Sequence, residues 1–487
     1  MHRSNTNVNT NCNIEMRLQI SHLPCDTAKD NGQQNHLNSV EEASNTTILK
    51  SKQEHKRLLT ETENDEDKQH TNGIGNYCCT SSDDITIIGA VSIIVNICLG
   101  AGLLNFPSTF GSVGGIIGGI LIQLVLIPFI SSTHLILAYC VDKKKASYSY
   151  QSAVSSILGT KVKIISEVLL ILFSLSTCIT YLVIIGDQSD EIIIGITGQQ
   201  HQWYTNRKFV MSIISTLFIL PLSLLKNIGS LRYSSILGTV AVINVAIVVM
   251  IEFFINDYHK RPIYQSRISN WSQIASAFST ICFGFHCHIS SIPSYEKLRD
   301  RSIKRFNLVI IIAMLVCIVV YSITGSFGYM SFGNSVNSDI LLNYGSSNIL
   351  VTISRIMISI NMVTSYPVLH FCARQVVEEL WLNFRNLNDE SAKIHKKSRL
   401  IIQTLSWFVV TLSLSLFVPN VGDIIALAGG FAALFIFVFP GFCLIGLRYN
   451  FNRKYHVACI CYGSFLAILG IFLFGMATTK AIYDFSS

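Results

Sequence analysis

The stretch Val95-Asn96-Ile97-Cys98-Leu99-Gly100-Ala101-Gly102-Leu103-Leu104-Asn105-Phe106-Pro107 interrupts an otherwise apolar segment. Its two glycines and its proline weaken a helix, because glycine adds backbone freedom and proline removes a hydrogen-bond donor. A later apolar segment contains Phe283-Gly284-Phe285-His286-Cys287-His288 and reaches Pro293. The sequence therefore predicts two broken helices, and these breaks decide both the fold and the place of the site.

The composition is that of a membrane protein. Half of the 487 residues are apolar and 13% are charged, whereas a soluble domain carries about 25% charged residues. The apolar residues come in segments of about 20, enough to cross a bilayer as a helix, and they lack the alternation of barrel strands. We expect an all-α polytopic protein in a lipid bilayer, which excludes a soluble enzyme, a secreted disulfide scaffold and a nucleic-acid-binding domain. The eleven predicted spans are 86–109, 112–141, 163–186, 208–225, 233–255, 272–292, 307–331, 348–371, 400–418, 421–447 and 456–480.

Residues 1–83 form a polar tail that precedes the membrane domain, 84–485. Up to residue 84 the chain carries eight basic and 13 acidic residues without apolar periodicity, so we expect a disordered tail without a cleavable signal peptide. In this tail Glu54 stands four residues before Leu58 and Leu59. This spacing resembles the dileucine signal by which adaptor complexes sort proteins to lysosomes; a chance match is the alternative.

The distribution of lysine and arginine predicts the orientation. With the tail in the cytosol, 21 basic residues lie in cytosolic loops and six on the opposite side, as the positive-inside rule requires. The 256–271 loop then faces the lumen or the cell exterior. It carries Asn270-Trp271-Ser272, a glycosylation acceptor on that side of the membrane.

The two predicted breaks open consecutive sets of five spans, and an odd number of spans inverts the second set relative to the first. Inverted repeats with discontinuous helices at equivalent positions are typical of secondary transporters that work by alternating access. The amide end of a half-helix attracts a carboxylate, and the carbonyl end attracts a cation. An amino acid supplies both charges, so the pattern favours an amino acid carrier.

Seven motifs carry a family resemblance: Gly89-Ala90-Val91, Gly100 to Pro107, Ile184-Ile185-Gly186-Asp187-Gln188, Trp203-Tyr204-Thr205-Asn206-Arg207-Lys208-Phe209, Thr280-Ile281-Cys282-Phe283-Gly284-Phe285, Thr364-Ser365-Tyr366-Pro367 and Ile436-Phe437-Val438-Phe439-Pro440-Gly441. They are similar to those of the sodium-coupled neutral amino acid transporters of the amino acid/auxin permease group, nearest to its lysosomal glutamine and asparagine branch. The resemblance implies a LeuT-like five-plus-five inverted repeat with an eleventh span. It also implies sodium symport of small neutral amino acids, glutamine and asparagine above all, at the lysosomal membrane or, alternatively, the plasma membrane.

The same resemblance implies a sodium site. Asn96 matches a first-span asparagine linked to sodium coupling, and Thr364 and Ser365 match eighth-span hydroxyls that complete such a site. Sodium is a hard cation that prefers oxygen ligands, and Pro367 leaves the carbonyl of Val363 without its helical donor. The alternatives are a helix–helix hydrogen bond for Asn96 and hydroxyls that bond their own helix. Beyond Na⁺ as the coupling ion, no cofactor is expected.

The candidate substrate site lies at the two breaks. No acidic residue lies midway along a span beside them, so a cationic substrate lacks its counter-charge and a neutral side chain such as an amide is favoured. The aromatic residues there are equally explained by packing or lipid contact. We expect a carboxylate to bind the backbone of Gly100, Ala101 and Gly102, and the opposite wall to be Phe283, Gly284 and Phe285.

Ionisable residues inside the predicted spans are functional hypotheses. His286 and His288 flank the second break, and because histidine changes charge near neutral pH, their protonation could tune activity to an acidic lumen; packing histidines are the alternative. Arg355, in the eighth span, is predicted to pair with Asp423 or Asp187 as a gate.

Two other functions stay open at this point. One is a proton-coupled amino acid transporter, and the other is an amino-acid-sensing receptor without significant flux. We find neither His-Glu-x-x-His nor Gly-x-Ser-x-Gly in the sequence, and we do not expect an enzyme.

Overall fold

The computed structural model describes residues 85–144, 148–198, 206–224, 232–256, 271–385 and 395–486. The predicted tail, with its sorting motif of Glu54, Leu58 and Leu59, lies outside these residues. So does the predicted glycosylation acceptor Asn270. These four assignments therefore stay predictions.

The described chain is helical, apart from one isolated β-bridge between Ile85 and Leu298. The predicted all-α class is confirmed. The helices are α1 (Ile87–Cys98), α2 (Phe106–Ser112), α3 (Ile116–Lys144), α4 (Tyr150–Leu158), α5 (Thr160–Thr197), α6 (Arg207–Leu224), α7 (Arg232–Ile255), α8 (Trp271–Gly284), α9 (His288–Glu296), α10 (Ile303–Phe332), α11 (Ile349–Arg385), α12 (Lys396–Ser415), α13 (Val421–Asn450) and α14 (His456–Ser486).

Nine helices in the described residues are long and apolar enough to cross a membrane, and there are ten spans if the bent pair of α1 and α2 counts as one. Helices α8 and α9 have 14 and nine residues, and each is shorter than the roughly 20 residues that a span needs. Together they occupy the predicted sixth span. The count of eleven and the inverted repeat stay predictions.

The first predicted break is confirmed. Helix α1 begins after Thr86, whose hydroxyl accepts a hydrogen bond from the backbone N–H of Gly89, and it ends at Cys98. A 3₁₀ turn, Ala101–Asn105, then leads into α2, and the axes of the two halves differ by 52°. Pro107 lies in the first turn of α2, where a proline costs no hydrogen bond. The chain can therefore form a helix again at Phe106.

The second predicted break is confirmed as well. Helix α8 ends at Gly284, the residues 285–287 are not helical, and α9 begins at His288. By contrast, α11 runs through Pro367 without interruption. The two broken helices are surrounded by unbroken ones, since α10 packs against α1, α2 and α3, and α8 packs against α13.

Candidate functional site

The two breaks meet at the backbone of Gly102 and Gly284. A Cβ atom built on Gly102 would lie 3.3 Å from the Cα of Gly284 and 3.2 Å from Cδ1 of Phe283. A glycine at position 102 therefore permits an approach that a side chain would obstruct. The structure brings together three of the residues that the sequence placed in one site.

Gly100 borders open space, because no described heavy atom lies within 4 Å of the position its Cβ would take. Ala101 and Gly102 then begin the second half-helix, Ala101–Ser112. The first N–H groups of a helix have no acceptor within it and attract negative charge. Donors beside open space can bind a carboxylate.

Phe285 is buried and packs into the core between the two breaks. Its ring meets those of Phe106 and Tyr321 edge-on, with centroid distances of 6.5 Å and 5.1 Å. Of the six candidate substrate residues, four are buried and two, Gly100 and Phe283, are partly exposed. The contacts of Phe285 are those of a packing residue. Packing is the alternative that the sequence analysis gave to a substrate-binding role for the aromatic residues at the breaks.

Tyr321 of α10 joins the two breaks, and sequence analysis did not single it out. Its hydroxyl lies 2.6 Å from the carbonyl oxygen of Cys98 and 3.0 Å from that of Gly284. These carbonyls belong to the last residues of α1 and α8. A polar residue in an apolar helix was the available signal.

The predicted sodium ligands lie where α1, α7 and α11 meet. The Asn96 amide oxygen accepts a hydrogen bond of 3.0 Å from the Thr239 hydroxyl. The Ser365 hydroxyl donates to the Asn361 amide oxygen over 3.2 Å. A Cβ built on Gly238 would lie 2.5 Å from Oδ1 of Asn361 and 3.2 Å from Oδ1 of Asn96. The amide oxygens of Asn96 and Asn361 therefore lie close to each other. Asn361 is a candidate oxygen ligand for a cation that the sequence analysis missed.

The hydroxyl of Thr364 faces its own helix. It lies 3.0 Å from the carbonyl oxygen of Ile360 and 3.1 Å from that of Asn361. A hydroxyl that bonds its own helix is the alternative that the sequence analysis gave to a sodium ligand. Lone pairs on the hydroxyl oxygen remain available to a cation, so the ligand role of Thr364 stays a prediction.

A third histidine joins His286 and His288. The ring of His134 from α3 stacks on that of His288 at 3.7 Å between centroids, and the ring of His286 lies 6.0 Å from His288. His134 Nδ1 lies 2.9 Å from the Ser291 hydroxyl, and His288 Nε2 lies 2.8 Å from the Thr133 hydroxyl. In the described part of the chain, His286 Nε2 and His288 Nδ1 have no hydrogen-bond partner. Their role in pH sensing stays a prediction.

The structure corrects the predicted pairing of Arg355. Its guanidinium lies 3.4 Å from the carboxylate of Glu191 and donates 2.9 Å hydrogen bonds to the carbonyl oxygens of Leu341 and Tyr344. Asp187 instead pairs with Arg207. Glu191 stands one turn beyond Asp187 on the same face of α5, so Arg355 reaches the carboxylate at its own height along that helix.

Asp339 lies near this cluster, in the connection between α10 and α11. Its carboxylate accepts a 2.6 Å hydrogen bond from the Gln188 side chain and a 3.0 Å one from the backbone N–H of Leu341. Burial, reinforced by the negative charge of Asp187, raises the pKa of Asp339 to about 7. This carboxyl therefore changes charge near neutral pH.

A polar cavity of about 150 Å³ lies beside α2. Amides, hydroxyls and one residue of each charge line it, so it suits a hydrated or zwitterionic solute. One of its amides, that of Asn105, also donates a 3.0 Å hydrogen bond to the Thr280 hydroxyl of α8. The lining residues are Asn105, Ser108, Thr109, Ser112, Gln273, Ser276, Ser338, Asn420, Gly422, Asp423 and Lys480.

Broken helices that meet deep in a helical membrane bundle, with donors and acceptors at the break, define a carrier for small solutes. The family model described as transmembrane amino acid transporter protein matches residues 83–483. The chain belongs to this family, as the resemblance of its motifs implied.

Among the similar relatives are two proteins named sodium-coupled neutral amino acid transporter 7. The one from Danio rerio is 42% identical over 405 residues, covering 81% of this chain and 87% of the relative. The one from Homo sapiens is 40% identical, with the same coverage. Solute carrier family 38 member 8 of Homo sapiens is 31% identical and covers 83% of this chain and 95% of its own.

The fold is similar to that of a solved structure, the crystal structure of MhsT in complex with L-phenylalanine. The TM-score is 0.52 at 14% sequence identity, and the match covers 82% of this chain and 100% of that one. The LeuT-like fold expected from the sequence is thereby confirmed.

Proposed function

We propose that this protein is a sodium-coupled symporter of small neutral amino acids, with glutamine and asparagine as its preferred substrates, and that it works by alternating access. The observation that carries this proposal is the contact of the two breaks at Gly102 and Gly284. There the amide end of one half-helix and the carbonyl ends of two others face the same small region. Relatives at about 40% identity bear the name of sodium-coupled neutral amino acid transporters.

The backbone at the first break binds the substrate carboxylate. The N–H groups of Ala101 and Gly102 supply the donors, and the open space beside Gly100 admits the substrate. The side chain of the substrate lies against Phe283. Neither 95–107 nor 281–293 contains Asp, Glu, Lys or Arg, so the site offers a charged side chain no partner, and burying an unpaired charge is costly.

Sodium binds at the oxygen cluster of Asn96, Thr364 and Ser365, with Asn361 as a further ligand. The convergence of the two amide oxygens beside Gly238 supports this assignment. Uncharged oxygens suit a monovalent hard cation. Because Asn96 stands one turn before the first break, a cation there stabilises the end of α1 on which the substrate site depends.

A flux assay with the purified full chain in proteoliposomes tests the function. We expect uptake of radiolabelled glutamine driven by an inward sodium gradient, and no uptake of arginine or glutamate. Uptake driven by a proton gradient in the absence of sodium would show proton coupling instead of sodium coupling. The observation that favours this alternative is the stacked pair of His134 and His288. Glutamine binding without flux would indicate a receptor.

We further propose that the protein resides in the lysosomal membrane with its N-terminus in the cytosol. The basic residues of the predicted loops and the sequon at Asn270 support this orientation. Loss of the glycan in Asn270→Gln tests the orientation. Redistribution of Leu58→Ala/Leu59→Ala to the plasma membrane tests the sorting signal and its adaptor partner, and unchanged residence in lysosomes contradicts it.

A further inference from the structure

Glu252 is a buried carboxylate near the end of α7. Its side chain is 2% exposed, and it lies almost one turn before the end of the helix at Ile255. Its two oxygens accept hydrogen bonds from the side-chain amides of Asn348, over 2.8 Å, and Asn256, over 2.6 Å. Both amides are neutral, and in the part of the chain that the structure describes no lysine or arginine forms an ion pair with Glu252. Because a buried negative charge is costly without a cation, this end of α7 attracts one.

The two amides orient the Glu252 carboxylate and leave part of it available. An ionised carboxylate has about four acceptor positions, and the hydrogen bonds from Asn348 and Asn256 occupy two of them. The remaining lone pairs are hard oxygen donors, which suit sodium and similar cations. A single carboxylate among neutral groups carries one negative charge, so it matches a monovalent cation better than a divalent one.

A row of oxygen-bearing side chains connects this carboxylate with the candidate sodium site. Helices α7 and α11 pack side by side, and midway along their contact the Ser354 hydroxyl donates a 2.7 Å hydrogen bond to the Asn244 amide oxygen. Asn361, which lies at the sodium site, follows two turns later on the same face of α11. Asn348, Ser354 and Asn361 are thus spaced by about 9–11 Å along the helix axis. We call this row of Asn244, Glu252, Asn348, Ser354 and Asn361 the α7–α11 seam.

The composition of α7 makes the seam stand out. After Thr239, the helix has only two polar residues, Asn244 and Glu252, and the other residues up to Ile255 are apolar. Both bond side chains of α11 or of the residue before it. Polar residues are rare in membrane spans and mark ion pathways where they line one interface.

We propose that Glu252 binds a monovalent cation at the lumenal end of α7, and that the α7–α11 seam carries sodium from there to the candidate sodium site. The side of the membrane follows from the predicted orientation, in which the 256–271 loop is lumenal. As the ion passes, the oxygens of Asn244 and Ser354 coordinate it in place of their mutual hydrogen bond. The inference rests on the proposed sodium coupling and adds to it the entrance through which sodium arrives.

The test measures how fast sodium reaches its site. Proteoliposomes with the full chain, adsorbed on a solid-supported membrane, receive a sodium jump at constant ionic strength with choline as the replacing cation. The rate of charge movement at low sodium gives the second-order rate constant. A charged entrance raises the association rate of its counter-ion about tenfold or more, so Glu252→Gln should lower this constant about tenfold. The apparent Kd for sodium, from thermal stabilisation in detergent, should change by about fourfold or less, because Asn361 lies about 20 Å from Asn348 along α11.

Glu167→Gln is the matched control. Glu167 is a second buried glutamate, and it lies on α5 beside Lys163, at 3.4 Å. Lys163 keeps a partner in this variant, because it also pairs with Glu379 at 2.7 Å. The control should have the rate constant of the wild type. Equal rate constants in Glu252→Gln and Glu167→Gln overturn the inference, and a lower Tm of Glu252→Gln with an unchanged rate constant assigns Glu252 a structural role only.

A second variant tests the seam without changing a charge, and it keeps the inference testable if Glu252→Gln is poorly folded. Ser354→Val replaces the hydroxyl midway along the seam with methyl groups. Loss of a bond to a charged group corresponds to about a tenfold effect, so the rate constant should fall about tenfold while the Kd changes less than about twofold. Ser359→Val is its control, because Ser359 bonds the carbonyl of Arg355 and lies on another face of α11. Equal rate constants in Ser354→Val and Ser359→Val contradict the seam.

Failure of the proposed function gives a different result. If sodium produces neither charge movement nor a thermal shift in the wild type, sodium coupling fails and the inference fails with it. If the wild type responds to sodium and both seam variants keep its rate constant, the inference alone is overturned.

Discussion

Replacing Gly102 with alanine tests whether contact between the two broken helices is required for transport. The new Cβ would lie 3.2 Å from a ring carbon of Phe283 and 3.3 Å from the Cα of Gly284. The ring can turn aside, but the Cα belongs to the backbone of the opposite break, so the helices must separate. Such overpacking costs about 1–3 kcal/mol, which corresponds to about a 5- to 150-fold loss of the closed arrangement.

The measurement is the initial rate of sodium-driven glutamine uptake in proteoliposomes, with the thermal stability of the same preparation. We expect uptake to fall by about 5- to 150-fold in Gly102→Ala. Gly475→Ala in α14 is the control, because no described heavy atom lies within 4 Å of its Cβ position and alanine favours a helix. If the two variants transport equally, the reasoning about the helix contact is refuted.

Three further predictions concern the polar clusters. Asp339→Asn removes a carboxyl whose pKa is raised to about 7 from 3.8. Because the native state binds the carboxyl proton more tightly than the unfolded state does, the free energy of unfolding of the wild type should fall as pH rises through that range. The Tm of the variant should therefore fall less than that of the wild type between about pH 5 and 8. Asn361→Ala should raise the apparent Kd for sodium about tenfold, by loss of an oxygen ligand, with the KM for glutamine at saturating sodium unchanged; an unchanged sodium dependence contradicts this. Arg355→Met removes the cation beside Glu191, whose side chain is 26% exposed, and the donor to two backbone carbonyls. It should cost about 1–3 kcal/mol of unfolding free energy, seen as a lower Tm that Arg355→Met/Glu191→Gln partly restores. Equal Tm values of both variants argue against the ion pair.

The two breaks could be predicted from the sequence because their causes are local. Glycine and proline change the conformational freedom and the hydrogen bonding of the residues around them. Gly100, Gly102 and Gly284 therefore marked the two breaks without knowledge of the tertiary structure. The all-α class followed in the same way from the length of the apolar segments.

The partners of polar residues on unbroken helices could not be predicted. Tyr321 lies in a continuous apolar helix, and its role depends on two carbonyls that are 223 and 37 residues away along the chain. Asn361 likewise gains its place only when α11 packs against α7. The choice of Glu191 over Asp187 as partner of Arg355 depends on the height of Arg355 along the axis of α5, because both acidic residues lie on the same face of that helix. The spacing of charges alone does not determine this height.

The β-bridge at Ile85 ties the beginning of α1 to the end of α9. The backbone N–H of Ile85 donates to the carbonyl oxygen of Lys297 over 2.8 Å, and its own carbonyl accepts from Arg299 over 2.9 Å. Tilting either half-helix alone must first break these two bonds, at about 0.5–1.5 kcal/mol each. The bridge therefore couples α1 and α9 at one face of the membrane domain. We expect these two half-helices to tilt together, because a separate movement of either one requires the two hydrogen bonds to break.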